Sequence, residues 1–206
     1  MKLYGNNVSP SVKRVRVLAN ELNINIEKVD LDFTKGDLKT PEYLAINPMG
    51  KIPTLTDDNG LVLWESPAIL SYLAAKHNSP LLPKDAVDNA NTLRWMFWNA
   101  SHFENAVFAV AFEQFVKPTF LNAQPDQARV AAAQADWNRF APVLNAQLEG
   151  KTWVLGNNFS IADICLGTTT EFSVIPQVGF NYAQFTHINA WLGRLQTRDT
   201  WKRASQ

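Results

Sequence analysis

Over the first 77 residues, short apolar runs alternate with apolar positions set at helical spacing. KLY (2–4) predicts a strand stopped by Gly5. In SPSVKRVRVLANEL (9–22), Val12, Val15, Leu18, Ala19 and Leu22 fall on one helical face. IEKVDLD (26–32) alternates as a strand does, and TPEYLAIN (40–47) reads as a helix with Thr40 as cap and Pro41 at its first position. PTLTD and LVLWE flank DNG, a hairpin signal, and SPAILSYLAAKH (66–77) again pairs a serine cap with a proline. The order is β-α-β-α-β-β-α. A crossover helix makes the first two strands parallel, and the hairpin adds antiparallel strands.

NSPLLPKD (78–85) predicts a linker after this first domain of residues 1–77. Beyond it the strand pattern stops. Residues 86–117 and 125–149 are long helical patterns rich in alanine and aromatics, and 161–175 and 184–204 are shorter ones. Residues 86–206 therefore predict an all-α domain. Within NFSIADI, Ser160 and Asp163 have the spacing of a capping box, with Phe159 and Ile164 as its hydrophobic staple. This element serves folding, and no chemistry is asked of Asp163.

Composition narrows the function classes. Of 206 residues, 46% are hydrophobic and 18% charged, which excludes a disordered chain. Nineteen basic residues balance nineteen acidic ones without a long basic run, so nucleic acid and anionic membranes are not expected partners. Cys165 is the single cysteine, which rules out an internal disulfide; no Cys/His spacing suits a metal. MKLYGNN has no apolar core of a signal peptide and no stretch is long enough to span a bilayer, so a cytoplasmic protein is expected.

The chemistry centres on NPMGKIPTL (47–55). Pro53 lacks an amide hydrogen and is a poor start for a strand paired on both sides, while Gly50 permits a sharp reversal. A cis Ile52–Pro53 bond would leave the Ile52 backbone unpaired within its own sheet, open to something outside the chain.

This first domain resembles the thioredoxin fold, and with an all-α domain behind it the chain is similar to the cytosolic-type glutathione S-transferase superfamily. NPMGKIPTL, LVLWESPAILSYL and NFSIADI stand in that family's order, and together they span nearly the whole chain. The resemblance implies a cis Pro53 and glutathione lying as a short antiparallel strand against Ile52. It implies that glutathione is the co-substrate, that Glu65 faces its γ-glutamyl ammonium and that the Ser66 hydroxyl and amide face the neighbouring carboxylate. Lys39 and Lys51 are candidates for the glycyl carboxylate. Ser9 matches the serine of the phi, theta and zeta classes that stabilises the glutathione thiolate, with Ser11 as the alternative. Ser9 before Pro10 is also a good helix cap, and one hydroxyl can do both.

The family also implies a hydrophobic substrate site on the helix after the linker, where Trp98, His102 and Phe103 are the candidates. Cys165 reads as a small buried hydrophobe. The expected activity is conjugation of glutathione to small hydrophobic electrophiles, in the manner of detoxification enzymes. A glutathione-dependent cis-trans isomerase of zeta type is the alternative, although Pro10 and Ser11 stand where that class has Ser and Cys. A non-catalytic binding or scaffold module is the third reading. The resemblance and the aromatic load of residues 95–115 predict a homodimer in which the first domain of one subunit meets the helical domain of the other.

Overall fold

The structure, a computed structural model, describes residues 1–205 and divides into two compact units. One holds Met1–Leu82 with the residues from Arg198 onward, and the other holds Pro83–Thr197.

In the first unit β1 (Lys2–Gly5) pairs in parallel with β2 (Glu27–Asp30), and α1 (Pro10–Glu21) is the crossover between them. The hairpin strands β3 (Thr54–Thr56) and β4 (Val62–Trp64) add antiparallel partners, giving the order β2-β1-β3-β4. Two single 3₁₀ turns, Phe33–Lys35 and Asp37–Lys39, lead to α2 (Pro41–Ile46), and α3 (Ser66–Lys76) follows the hairpin. The predicted mixed sheet is therefore present, with β2 shorter than its apolar pattern suggests. Leu3, Val15, Leu18, Leu55, Ile69, Leu70 and Leu73 form its buried core. Gly5 is fixed by packing: a Cβ there would lie 2.4 Å from a Val12 methyl carbon, so no side chain fits between β1 and α1. Asp57 at the hairpin accepts hydrogen bonds from Tyr72 and Lys76, which ties β3 to α3.

The second unit opens with one long helical run, as the 86–117 pattern predicts, but its turns are not uniform. α4 (Ala86–Trp98) passes into a wider π turn at Asn99–Phe103, then α5 (Glu104–Ala111), a second π turn at Phe112–Val116 and α6 (Lys117–Phe120). Each π turn inserts a residue and rotates the face that follows. α7 (Gln127–Gln147), α8 (Ile161–Ser173) and α9 (Thr186–Thr197) complete the unit. α8 is buried along most of its length; Ile161, Ile164 and Leu166 have no exposed surface, each contributing about 1.5–3 kcal/mol. The capping box is formed, with the Ser160 N–H and hydroxyl each donating to Asp163 at 3.0 Å.

The predicted helix over 184–204 is broken. Arg198 is extended, and a separate helix, α10 (Asp199–Arg203), packs on α1 in the first unit. The cause is a fork of hydrogen bonds: Arg198 donates to both Glu21 carboxylate oxygens, at 2.9 and 2.8 Å, and the Asn20 amide donates to the Thr200 carbonyl at 2.9 Å. Placing all of 86–206 in the helical domain is thus corrected at its C-terminal end. Among the described residues no helix is long and apolar enough to cross a membrane.

Candidate active site

Strand register brings three chain segments to one end of the sheet. Thr54 pairs with Tyr4 on one side and Trp64 on the other. The exit of β1 toward Ser9, the approach to β3 through Ile52–Pro53 and the exit of β4 into Glu65–Ser66 therefore meet at neighbouring strands, about 4.8 Å apart.

The approach to β3 is held rigidly. The Tyr43 hydroxyl and the Asn47 amide both donate to the Lys51 carbonyl, at 2.5 and 2.7 Å, and both reach the Thr54 hydroxyl, at 2.9 and 3.0 Å. Burial pushes the Tyr43 phenol up, so it stays a donor. Gly50 has φ +59, and a Cβ there would lie 2.8 Å from the Leu38 carbonyl and 3.0 Å from the Lys39 ammonium. The Ile52–Pro53 bond is cis. Among the described residues none hydrogen-bonds the Ile52 amide or carbonyl. A free backbone edge stands beside a locked loop.

Ser9 caps α1. Its Oγ accepts from the Val12 amide at 3.3 Å, and its own N–H donates to Asn6 Oδ1 at 3.1 Å. The hydroxyl hydrogen has no acceptor among the described residues, so it can donate outward. Ser11 is the second residue of the helix and half-buried.

Glu65 and Ser66 open α3. Glu65 has φ 69 and ψ 106, a conformation that costs an L residue about 1–3 kcal/mol, and its exposed side chain makes no cap bond. Ser66 is buried, and its Oγ accepts from Arg14 Nη1 at 2.8 Å. The hydroxyl oxygen expected to face a ligand is thus engaged from behind, leaving the hydroxyl hydrogen and the first-turn amides to meet an anion. Arg14 is a buried partner of Ser66 that the sequence reading missed. Its signal was a cation inside the apolar run of α1, where it is buried.

Of the two lysines, Lys39 lies against the loop at Gly50, while Lys51 is exposed on the loop itself. In the second unit Trp98 stacks on Phe103 at 5.5 Å between centroids and meets Phe140 edge-on at 6.0 Å; His102 lies 5.4 Å from Phe140. The π turn gathers these rings, but Phe103 has no exposed surface and supports Trp98 from beneath. As a residue touching substrate, Phe103 is corrected; Trp98 and the exposed His102 keep accessible surface. Cys165 is buried, as expected.

Known proteins share this plan. Two family models match: "Glutathione S-transferase, N-terminal domain" over residues 1–75 and "Glutathione S-transferase, C-terminal domain" over residues 101–199. The chain is 32% identical to a probable glutathione S-transferase, GSTF2, of Oryza sativa subsp. japonica, covering 96% of this chain and 92% of the relative. It is 33% identical to glutathione S-transferase 3 of Zea mays, covering 98% and 92%. Among solved structures, glutathione transferase F7 of Populus trichocarpa superposes with a TM-score of 0.89 at 27% identity over 99% of this chain and 97% of that one. A glutathione transferase of Burkholderia graminis, crystallised with two glutathione molecules bound per subunit, gives a TM-score of 0.87 at 27% identity over 99% and 86%.

Proposed function

The chain belongs to the glutathione S-transferase family and is a glutathione transferase, and from that premise we propose that it joins the glutathione sulfur to small hydrophobic electrophiles in cytoplasmic detoxification. The observation that carries this reading is the unpaired Ile52 backbone beside two helix N-termini. A tripeptide with a central cysteine fits that arrangement: its backbone pairs with Ile52, and its sulfur falls toward α1.

Each residue then has a distinct task. Ser66 and the first turn of α3 hold the γ-glutamyl carboxylate, with the buried Arg14 guanidinium adding positive charge behind them. Glu65 takes the ammonium, and Lys39 with Lys51 takes the glycyl carboxylate. A free thiol has a pKa of about 8.5, so little thiolate exists at neutral pH. The thiol proton passes to solvent, and the Ser9 hydroxyl donates a hydrogen bond to the sulfur that favours the anion, helped by the N-terminal dipole of α1. The sulfur then forms its bond to the electrophilic carbon as the leaving group departs with its electron pair. In the second unit, the accessible Trp98 and His102, backed by Phe103, are the residues proposed to meet the hydrophobic electrophile. Exposed Phe97 and Phe112 support a homodimer, which sedimentation at micromolar concentration checks.

Retention on immobilised glutathione, followed by an aryl-halide conjugation assay, tests the reading. Retention with turnover is expected. Retention without turnover of any electrophile would favour the binding-module reading, and loss of retention would remove the Ile52 argument.

A further inference from the structure

Away from this site the first unit contains a recess at the C-terminal end of α1, between that helix, the start of the β1–β2 pair and the C-terminal residues. Its volume is about 120 Å³. Eleven residues of helix separate Asn20 on its wall from Ser9, a span of about 16 Å. Arg16, Lys28 and Arg203 contribute cations to the recess, and among the described residues no acidic one lines it. Asp30 stands in a smaller adjoining pocket that shares Arg16 and Lys28.

Arg16 is the anomaly. It is only 7% exposed, and its one hydrogen bond among the described residues runs from Nη1 to the neutral Asn7 Oδ1 at 2.7 Å. No carboxylate pairs with it directly among the described residues; Asp30 acts on it from longer range, and burial lowers its pKa. A guanidinium carries five N–H donors in a rigid fork, and burying that fork with one neutral acceptor is costly unless something completes it. Arg16 lines both pockets. Lys28 and Arg203 are exposed and have no acidic partner among the described residues. Ile24 and Ile26 supply an apolar wall beside the cations, and Asn20 is fixed there by its bond to Thr200.

We propose that this recess binds a small oxyanion-bearing ligand, a phosphate or carboxylate group with a short apolar substituent, held by the Arg16 fork and flanked by Lys28 and Arg203. The volume decides the size class. Pockets for drug-sized ligands run from about 300 Å³ upward, so this smaller recess matches a phosphate-sized group. The site is independent of the conjugation chemistry.

The test is an NMR titration of the full-length, ¹⁵N-labelled protein with inorganic phosphate, ethyl phosphate and propionate, each against sodium chloride at matched ionic strength. Saturable shifts of the Arg16 Nε–H and of the Asn25 and Lys28 amides are expected, absent with chloride. The phosphate and propionate arms identify which oxyanion is preferred. Lys28→Gln and Arg203→Gln change exposed side chains, so the fold is retained; each weakens binding about tenfold, with conjugation kinetics unchanged. Arg16→Lys keeps the charge but loses the fork, and it weakens binding by at least as much. Shifts that fail to saturate, that chloride reproduces, that map to Ser66, or that survive Lys28→Gln and Arg203→Gln would each overturn the proposal.

Discussion

Ser9 and Ser160 hold the same position, the cap of a helix, one in each compact unit, and they use their hydrogen bonds differently. Ser160 is sealed: it is buried, and its N–H and hydroxyl both donate to Asp163. The other Asp163 oxygen accepts from the Val154 amide at 2.8 Å and from Trp191 Nε1 at 2.9 Å. Four donors from three parts of the second unit converge on one carboxylate, so nothing is left to offer a ligand. Ser9 is half-buried, its one cap bond is long at 3.3 Å, and its hydroxyl hydrogen is unspent. The Ser160 cap closes on itself, whereas the Ser9 cap keeps one group open, as the chemistry proposed for it requires. Ser66 is the first residue of its helix rather than the cap, and its oxygen is engaged by Arg14 while its hydrogen stays available.

The largest effect should come from opening the closed cap. Asp163→Ala strips the acceptor from four buried donors, at a cost of about 3–5 kcal/mol and a fall in Tm of about 10 °C or more. Conjugation activity per folded molecule should stay near the parent value, because no ligand touches that residue. A thermal melt with activity measured well below Tm checks both halves. Lost activity in a fully folded sample would break the contrast with Ser9.

Ser9→Ala should show the reverse pattern. Losing the cap bond costs about 1 kcal/mol of stability, but losing the donor to sulfur lowers kcat about 10- to 1,000-fold. Thiolate absorbance titrated in the glutathione complex should move to higher pH in Ser9→Ala. Ser66→Ala removes a contact made equally in the ground and transition states, so it raises KM for glutathione and leaves that titration in place. If Ser11→Ala moves the titration and Ser9→Ala only lowers Tm, then Ser9 is purely a cap, like Ser160, and Ser11 is the donor.

These contrasts also explain what the sequence could reveal. Ser9 as a helix cap, the cis Pro53 and the Ser160–Asp163 box were legible because each is a local device set by residues close in the chain. Arg14 behind Ser66, Lys76 on Asp57 and Trp191 on Asp163 were not, because their partners are 52, 19 and 28 residues away and no periodicity carries that information. The π turns at Asn99–Phe103 and Phe112–Val116 were hidden because helical spacing barely changes through one inserted residue. That rotation put Phe103 inside while leaving Trp98 accessible. The break at Arg198 carries neither glycine nor proline; the Glu21 pairing that makes it is 177 residues distant.

The smallest effect separates the two units by pH. In the first, hydrogen bonds from Lys76 and Tyr72 hold the Asp57 carboxyl down at about 2. The unfolded carboxyl, near 3.9, binds a proton sooner, so this stabilisation is full above about pH 4 and is lost as pH falls toward 2. Its size is on the order of 1–2 kcal/mol, since the Lys76 partner is partly in solvent. In the second unit burial outweighs the four donors and pushes Asp163 up to about 6. There the folded carboxyl holds its proton more tightly than the unfolded one. Its contribution is greatest below about pH 4, declines as pH rises toward 6, and is flat above. The two slopes have opposite signs in adjoining windows. Carboxyl ¹³C titration of the aspartates should show Asp163 turning near 6 and Asp57 near 2, and Lys76→Met should move only Asp57, upward. An Asp163 midpoint near 4 would mean that its donors balance its burial, and the sealed cap would then carry no pH dependence of its own.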